Sequence, residues 1–145
     1  MKIHSYIFTF LVLLGYLQAD DIIFKNIQER EYTTTGLSYI LIANQKTVNI
    51  DKLRKINLFN RKKVLSDSIY YHDGTFNRYD IAVDFYKGYF FEGAFLMDNC
   101  FINYDGASIQ ANKAEFKEKY IKLENVILKK NNKEYHKLKY KINVE

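Results

Sequence analysis

Residues 79–86 read Tyr-Asp-Ile-Ala-Val-Asp-Phe-Tyr, and residues 137–144 read Lys-Leu-Lys-Tyr-Lys-Ile-Asn-Val. In the first, Tyr79, Ile81, Val83 and Phe85 alternate with Asp80, Ala82, Asp84 and Tyr86. In the second, Leu138, Tyr140, Ile142 and Val144 alternate with Lys137, Lys139, Lys141 and Asn143. Successive side chains of a strand point to opposite faces, so this pattern gives a strand with one apolar and one wet face. Leu37, Tyr39 and Leu41 repeat it, as do Cys100, Ile102 and Tyr104. The residue types agree, because Ile, Tyr, Phe, Val and Thr suit a pleated surface.

Turn signals cut these runs at short spacing. Asp73-Gly74 and Asp105-Gly106 are the strong ones, with Lys87-Gly88 and Asn131-Asn132 weaker. Glycine accepts the positive φ that a tight hairpin needs. Many short strands, frequent turns and no clear helix predict an all-β meander. One segment reads two ways. Phe116, Tyr120 and Leu123 are spaced i, i+4, i+7 within Ala111–Glu124, which as a helix would make the fold α+β. Ile121 and Leu123 alternate with Lys122 and Glu124, which reads as strand.

The chain has 145 residues, enough for one core and one domain. Aromatic residues are 17% of it, yet Trp and Pro are absent. Without Pro there are no polyproline linkers or collagen-like repeats, and an uninterrupted strand ladder has no place for Pro. The single cysteine, Cys100, excludes an internal disulfide framework and multi-cysteine metal sites.

The N-terminus reads as an address. Lys2 and His4 precede an apolar run from Tyr6 to Leu17, and Ala19 stands before Asp20-Asp21. A run of about 12 residues has signal-peptide length and is short for a membrane span of roughly 20. Residues 1–19 are therefore expected to be a cleaved signal peptide or an N-terminal anchor, with residues 20–145 as a single exported antiparallel β domain. A faint repeat pairs Phe91-Glu92-Gly93-Ala94-Phe95 with Leu123-Glu124-Asn125-Val126-Ile127. Repeated two-strand units predict an open stack of hairpins.

These units resemble the periplasmic lipopolysaccharide-transport proteins of the LptC and LptA (OstA-like) family. The matching stretches are Tyr32 to Ala43, Leu65 to Tyr71, Gly106 to Phe116 and Tyr120 to Val126. Ala111-Asn-Lys-Ala-Glu-Phe116 and Leu123-Glu-Asn-Val126 stand where the family has an Ala-x-x-Ala-x-Tyr-like strand and then Leu-x-Gly-x-Val. Asn125 replaces the usual Gly, and Phe91-Glu-Gly-Ala94 keeps the Gly with Ala for Val. The opening Tyr-x-x-x-Gly stretch, the N-terminal apolar segment and the length favour LptC over LptA.

The resemblance implies a folded-over antiparallel sheet of the β-jellyroll or β-taco type with an apolar inside. It implies a periplasmic role in carrying lipopolysaccharide, with edge-to-edge strand pairing to other lipopolysaccharide-transport proteins and, in an anchored form, association with the inner membrane. Phe85, Phe91, Phe95, Ile102, Phe116, Leu123, Tyr140 and Ile142 supply the apolar face, as acyl-chain wall or as filled core. The candidate docking edges are the first strand, Ile22–Ile27, with Ile22 and Phe24, and the last, Tyr135–Val144, with Leu138, Tyr140 and Ile142. Lys129, Lys130 and Lys133 in a turn and Lys137, Lys139 and Lys141 on the last strand would meet lipid phosphates or simply guard an edge.

Catalytic patterns are not apparent. His4, His72 and His136 have no metal-ligand spacing, so no metal or other cofactor is expected. Cys100 has no neighbour that would activate it, and no phosphate-binding loop or nucleophile elbow occurs. Neither an enzyme nor a nucleic-acid binder is expected. The competing readings are an exported structural or protein-interaction β domain without lipid, and an eight-stranded outer-membrane barrel. The strands read as shorter than the 9–11 residues or so that a barrel span needs.

Overall fold

Eight strands form one antiparallel sheet in simple chain order in a computed structural model that describes residues 21–33 and 36–144. The segment expected to be a signal or anchor, residues 1–19, lies outside the described residues. The strands are β1 (Ile22–Thr33), β2 (Gly36–Val48), β3 (Ile69–Arg78), β4 (Ile81–Phe91), β5 (Ala94–Tyr104), β6 (Ala107–Lys117), β7 (Tyr120–Lys130) and β8 (Lys133–Asn143). From β4 on, the strands are equal in length and a two-residue turn joins each to the next. The sequence showed no clear helix, but α1 (Ile50–Leu53) and α2 (Arg61–Ser68) stand between β2 and β3.

Four of the two-residue turns carry positive φ at both positions: Tyr79-Asp80, Glu92-Gly93, Asp105-Gly106 and Asn131-Asn132. This is the turn whose twist matches that of paired strands. Segment 111–124 is strand, turn and strand, with Glu118 at φ 53 in the turn. Its helical spacing arises because Phe116 lies at the end of one strand and Tyr120 begins the next.

Two expected turns are not turns. Asp73-Gly74 lies within β3 and Lys87-Gly88 within β4. The reason is close packing. A Cβ on Gly74 would run into the Ile42 carbonyl, and one on Gly88 would run into the Phe95 ring. The repeat that pairs Phe91 with Leu123 also fails. Glu92-Gly93 joins β4 to β5, whereas Leu123–Ile127 is the middle of β7. The unit that recurs is a single strand with its turn.

One register row organises the whole sheet. Every pairing ladder skips one residue per strand along a common row, Asn26, Asn44, Asp73, Tyr86, Asn99, Asn112, Asn125 and Leu138, and the β1–β2 ladder slips once more at Ser38. All eight are exposed. On the odd strands this residue is left-handed, with φ 53, 56, 51 and 52 at Asn26, Asp73, Asn99 and Asn125. Asn and Asp tolerate that conformation better than other residues with side chains. The row resets the alternation: Phe85 and Gly88 both face in, as do Met97 and Cys100.

The sheet folds over along this row, so that the two halves of each strand belong to opposing wings. Phe76 from one wing stacks on Phe95 from the other, with centroids 4.6 Å apart and planes 15° apart. Tyr39 reaches Phe90 and Phe85 reaches Phe95, each at 5.3 Å. Such pairs add about 0.5–1.5 kcal/mol each to the gain from burial. The sheet does not close, and β1 and β8 are its two ends. A membrane barrel is closed and turns an apolar band outward. Here the strands are long enough for a span, contrary to the short strands expected, but Asp84, Lys113, Lys122, Glu124, Lys139 and Lys141 cover outer positions.

Candidate binding interior and sheet ends

Phe85, Phe95, Ile102, Phe116, Leu123 and Ile142 share one continuous core between the wings, and half-buried Tyr140 packs against it. Phe91 does not join them. The alternation resets at Tyr86, so Phe90 faces in and Phe91 faces out, with the Arg61 guanidinium of α2 5.7 Å from its ring centre. Leu138 is displaced for the same reason. It belongs to the outer row and is 81% exposed, while Tyr140 and Ile142 face in. Ile22 is buried in a small second cluster with Val48, against Phe24, Ile50 and Ile69.

At the β1 end the interior holds a charged clasp that sequence reading missed. Glu29 is fully buried and Lys46 nearly so. Lys46 Nζ donates to Glu29 Oε1 at 2.7 Å, and the Tyr71 hydroxyl donates to Glu29 Oε2 at 2.6 Å. Glu29 lies on one wing and Lys46 and Tyr71 on the other, so the clasp ties the wings together. Lys46 Nζ also sits 4.8 Å from the Tyr71 ring centre. Burial, then the Glu29 charge, pushes the Tyr71 hydroxyl well above its ordinary pKa. The signal was available: Glu29 falls two residues after inward Ile27 on the same face.

In the middle, Tyr39, Tyr71, Phe76, Phe90, Phe95 and Phe116 touch ring to ring and fill the space. Beyond them, towards β8, the lining turns aliphatic: Ile109, Ile121, Leu123, Val126, Leu128 and Ile142. Rings give way to shorter, unstacked side chains there.

The β8 end is open. Here the inward positions of one wing are Tyr135, 46% exposed, and Lys137, which pair with Leu128 and Val126. Lys137 Nζ lies 5.5 Å from the ring centre of Tyr140 on the other wing. The bend thus separates lysines expected on one face: Lys137 lines the mouth, whereas Lys139 and Lys141 point outward. A cleft of about 830 Å3 between the β5–β6 and β7–β8 turns is lined by Lys129, Lys130 and Lys133 among others. Lys129 pairs with Glu134 at 3.6 Å and Lys130 with Asp105 at 3.5 Å, as on a solvated face. The His136 ring beside Glu134, then Lys129, holds that carboxyl below its usual range.

Burial, then Asp98, pushes the Cys100 thiol up to about 12, where it is not a nucleophile at neutral pH. Among the described residues no three or more His, Cys, Asp or Glu side chains are grouped to hold a metal. No described helix is long and apolar enough to cross a membrane. No family model and no curated protein matches the chain.

Proposed function

We propose that this protein is a periplasmic, lipid-binding component of lipopolysaccharide transport to the outer membrane, taking acyl chains between its wings at the β8 end. The observation that carries the reading is the open, folded-over sheet, whose apolar interior is clasped at β1 and ends in an unclosed aliphatic mouth at β8. Each acyl methylene buried there gains about 0.8 kcal/mol. Aliphatic walls give that gain without direction, so a chain can enter and leave. Lys137 at the lip, beside the Tyr140 ring, would meet a headgroup phosphate as the chain passes. The terminal strands of the described sheet, β1 and β8, suit edge-to-edge strand pairing with partner transport proteins.

A second reading, an exported protein-interaction domain without lipid, draws on the ring-filled middle, where Phe95 and Phe116 are at most 1% exposed. Photo-crosslinking from Ile142 separates the two. The lipid reading expects a lipopolysaccharide adduct from Ile142 and none from outward Phe91. Adducts from neither position, or from Phe91 alone, overturn it.

A further inference from the structure

The strand-and-turn rhythm of the sheet is interrupted once, between β2 and β3, by α1, α2 and the loop that joins them. The loop displays its largest apolar side chains to solvent. Phe59 is 97% exposed and Leu58 79%, with Ile56 beside them at 38%. The sheet has no need of these residues, since none of the three belongs to either core cluster.

The display is built. Asn57 Oδ1 accepts from the backbone N–H groups of Phe59 and Asn60 at 2.9 and 3.1 Å. Asn60 Oδ1 accepts from Asn57 N–H at 2.7 Å, and Asn60 Nδ2 donates to the Lys55 carbonyl at 3.1 Å. Two asparagines thus fold a tight knuckle with Leu58 and Phe59 at its tip. Such turns use the Asn side chain as a backbone mimic.

Cations flank the tip on both sides in the chain. Lys52, Arg54, Lys55, Arg61, Lys62 and Lys63 flank it, against the carboxylates Asp51 and Asp67 in the same segment. That excess accounts for most of the chain's net charge of +5. Arg54 pairs with Asp51 at 3.7 Å and Arg61 with Glu92 at 3.4 Å. Among the described residues Lys52, Lys55, Lys62 and Lys63 form no ion pair. Lys52, Lys55 and Lys63 also line a cleft of about 380 Å3 between the helices, with Asn60, Val64 and Asp67.

We infer that residues 52–63 are a membrane-docking knuckle that inserts Leu58 and Phe59 into the interface of an anionic bilayer while the surrounding cations hold its headgroups. The charge sign selects anionic lipid, and an apolar tip amid lysines matches the layering of a bilayer interface. Each Lys or Arg near such a surface raises partitioning by about fivefold. This surface is independent of what the interior carries. It would hold the folded domain at a membrane whether or not residues 1–19 stay attached.

The test places an environment-sensitive fluorophore on Phe59→Cys in the full chain, with Cys100 buried and left unlabelled. Phe59 is so exposed that the substitution leaves the fold alone. On vesicles containing phosphatidylglycerol, emission is expected to rise severalfold and shift to the blue. It should fall back when Lys62→Glu and Lys63→Glu are added, or when the vesicles are phosphatidylcholine alone. The same label on Gln110→Cys, on the outer face of β6, should stay unchanged even if the N-terminus tethers the chain. Unchanged emission at position 59 on anionic vesicles overturns the inference and leaves an acidic protein surface as the occupant. An equal rise on neutral vesicles overturns it too.

Discussion

The β1 and β8 ends of the folded sheet share a strand pattern and differ in chemistry. At β1, Glu29, Lys46 and Tyr71 form a buried polar clasp across the wings. At β8, Leu123, Val126 and Ile142 line the interior, and among the described residues no further strand covers Lys137 and Tyr140 at its lip. A clasp of this kind fixes geometry more than it adds stability, because desolvating both charges offsets much of their attraction. On the lipid reading the wings are pinned at β1 and would part at β8. An apolar guest that enters at β8 displaces dispersion contacts, whereas one entering at β1 would have to strand a buried charge.

The clasp should respond most strongly to mutation. Lys46→Met leaves Glu29 buried without its cation and should cost about 3–5 kcal/mol in chemical denaturation. Adding Glu29→Leu should recover most of that loss. A single-substitution loss below about 1 kcal/mol would mean that the pair behaves like an exposed one and pins nothing.

Next comes the bend on which both ends depend. Asn99→Val puts a β-branched residue at φ 51 and should cost about 1–2 kcal/mol, whereas Asn99→Gly should be near neutral. Equal losses for the two would show that positive φ is not what the row requires.

An alkaline slope is the most gradual of these responses. An unfolded thiol ionises near pH 8.5 or so, whereas buried Cys100 is held up to about 12. Between those values the unfolded chain binds fewer protons. Stability is therefore full below the lower value and falls as pH rises, by at most about 1.4 kcal/mol per unit for one group. Tyr71, also pushed up, adds its own loss above its ordinary value near 10. Denaturation midpoints across this range check the slope, and Cys100→Ala should flatten its beginning.

Much of this was legible from alternation. Tyr79 to Phe85 placed Val83 and Phe85 inside, and Cys100 to Tyr104 placed Ile102 inside. The bend was not, because a period-two reading assumes that parity persists along a strand. Parity slips at Tyr86 and Leu138, which turned Phe91 and Leu138 into false inward residues. The recurrence of Asp73, Asn99 and Asn125 at equal spacing was the visible trace of the slip. The clasp was missed because the first strand was ended at Ile27, whereas it runs to Thr33. The helices escaped because α1 spans one turn and α2 two, too short for an apolar stripe to recur.

Hydrogen exchange of the full chain, strand by strand, with and without lipopolysaccharide, decides whether the two ends are unequal. Lipid is predicted to change the exchange of β6, β7 and β8 and to leave β1 to β3 as they were. A change concentrated in β1 to β3, or spread evenly over all eight strands, would contradict a sheet pinned at β1 and open at β8.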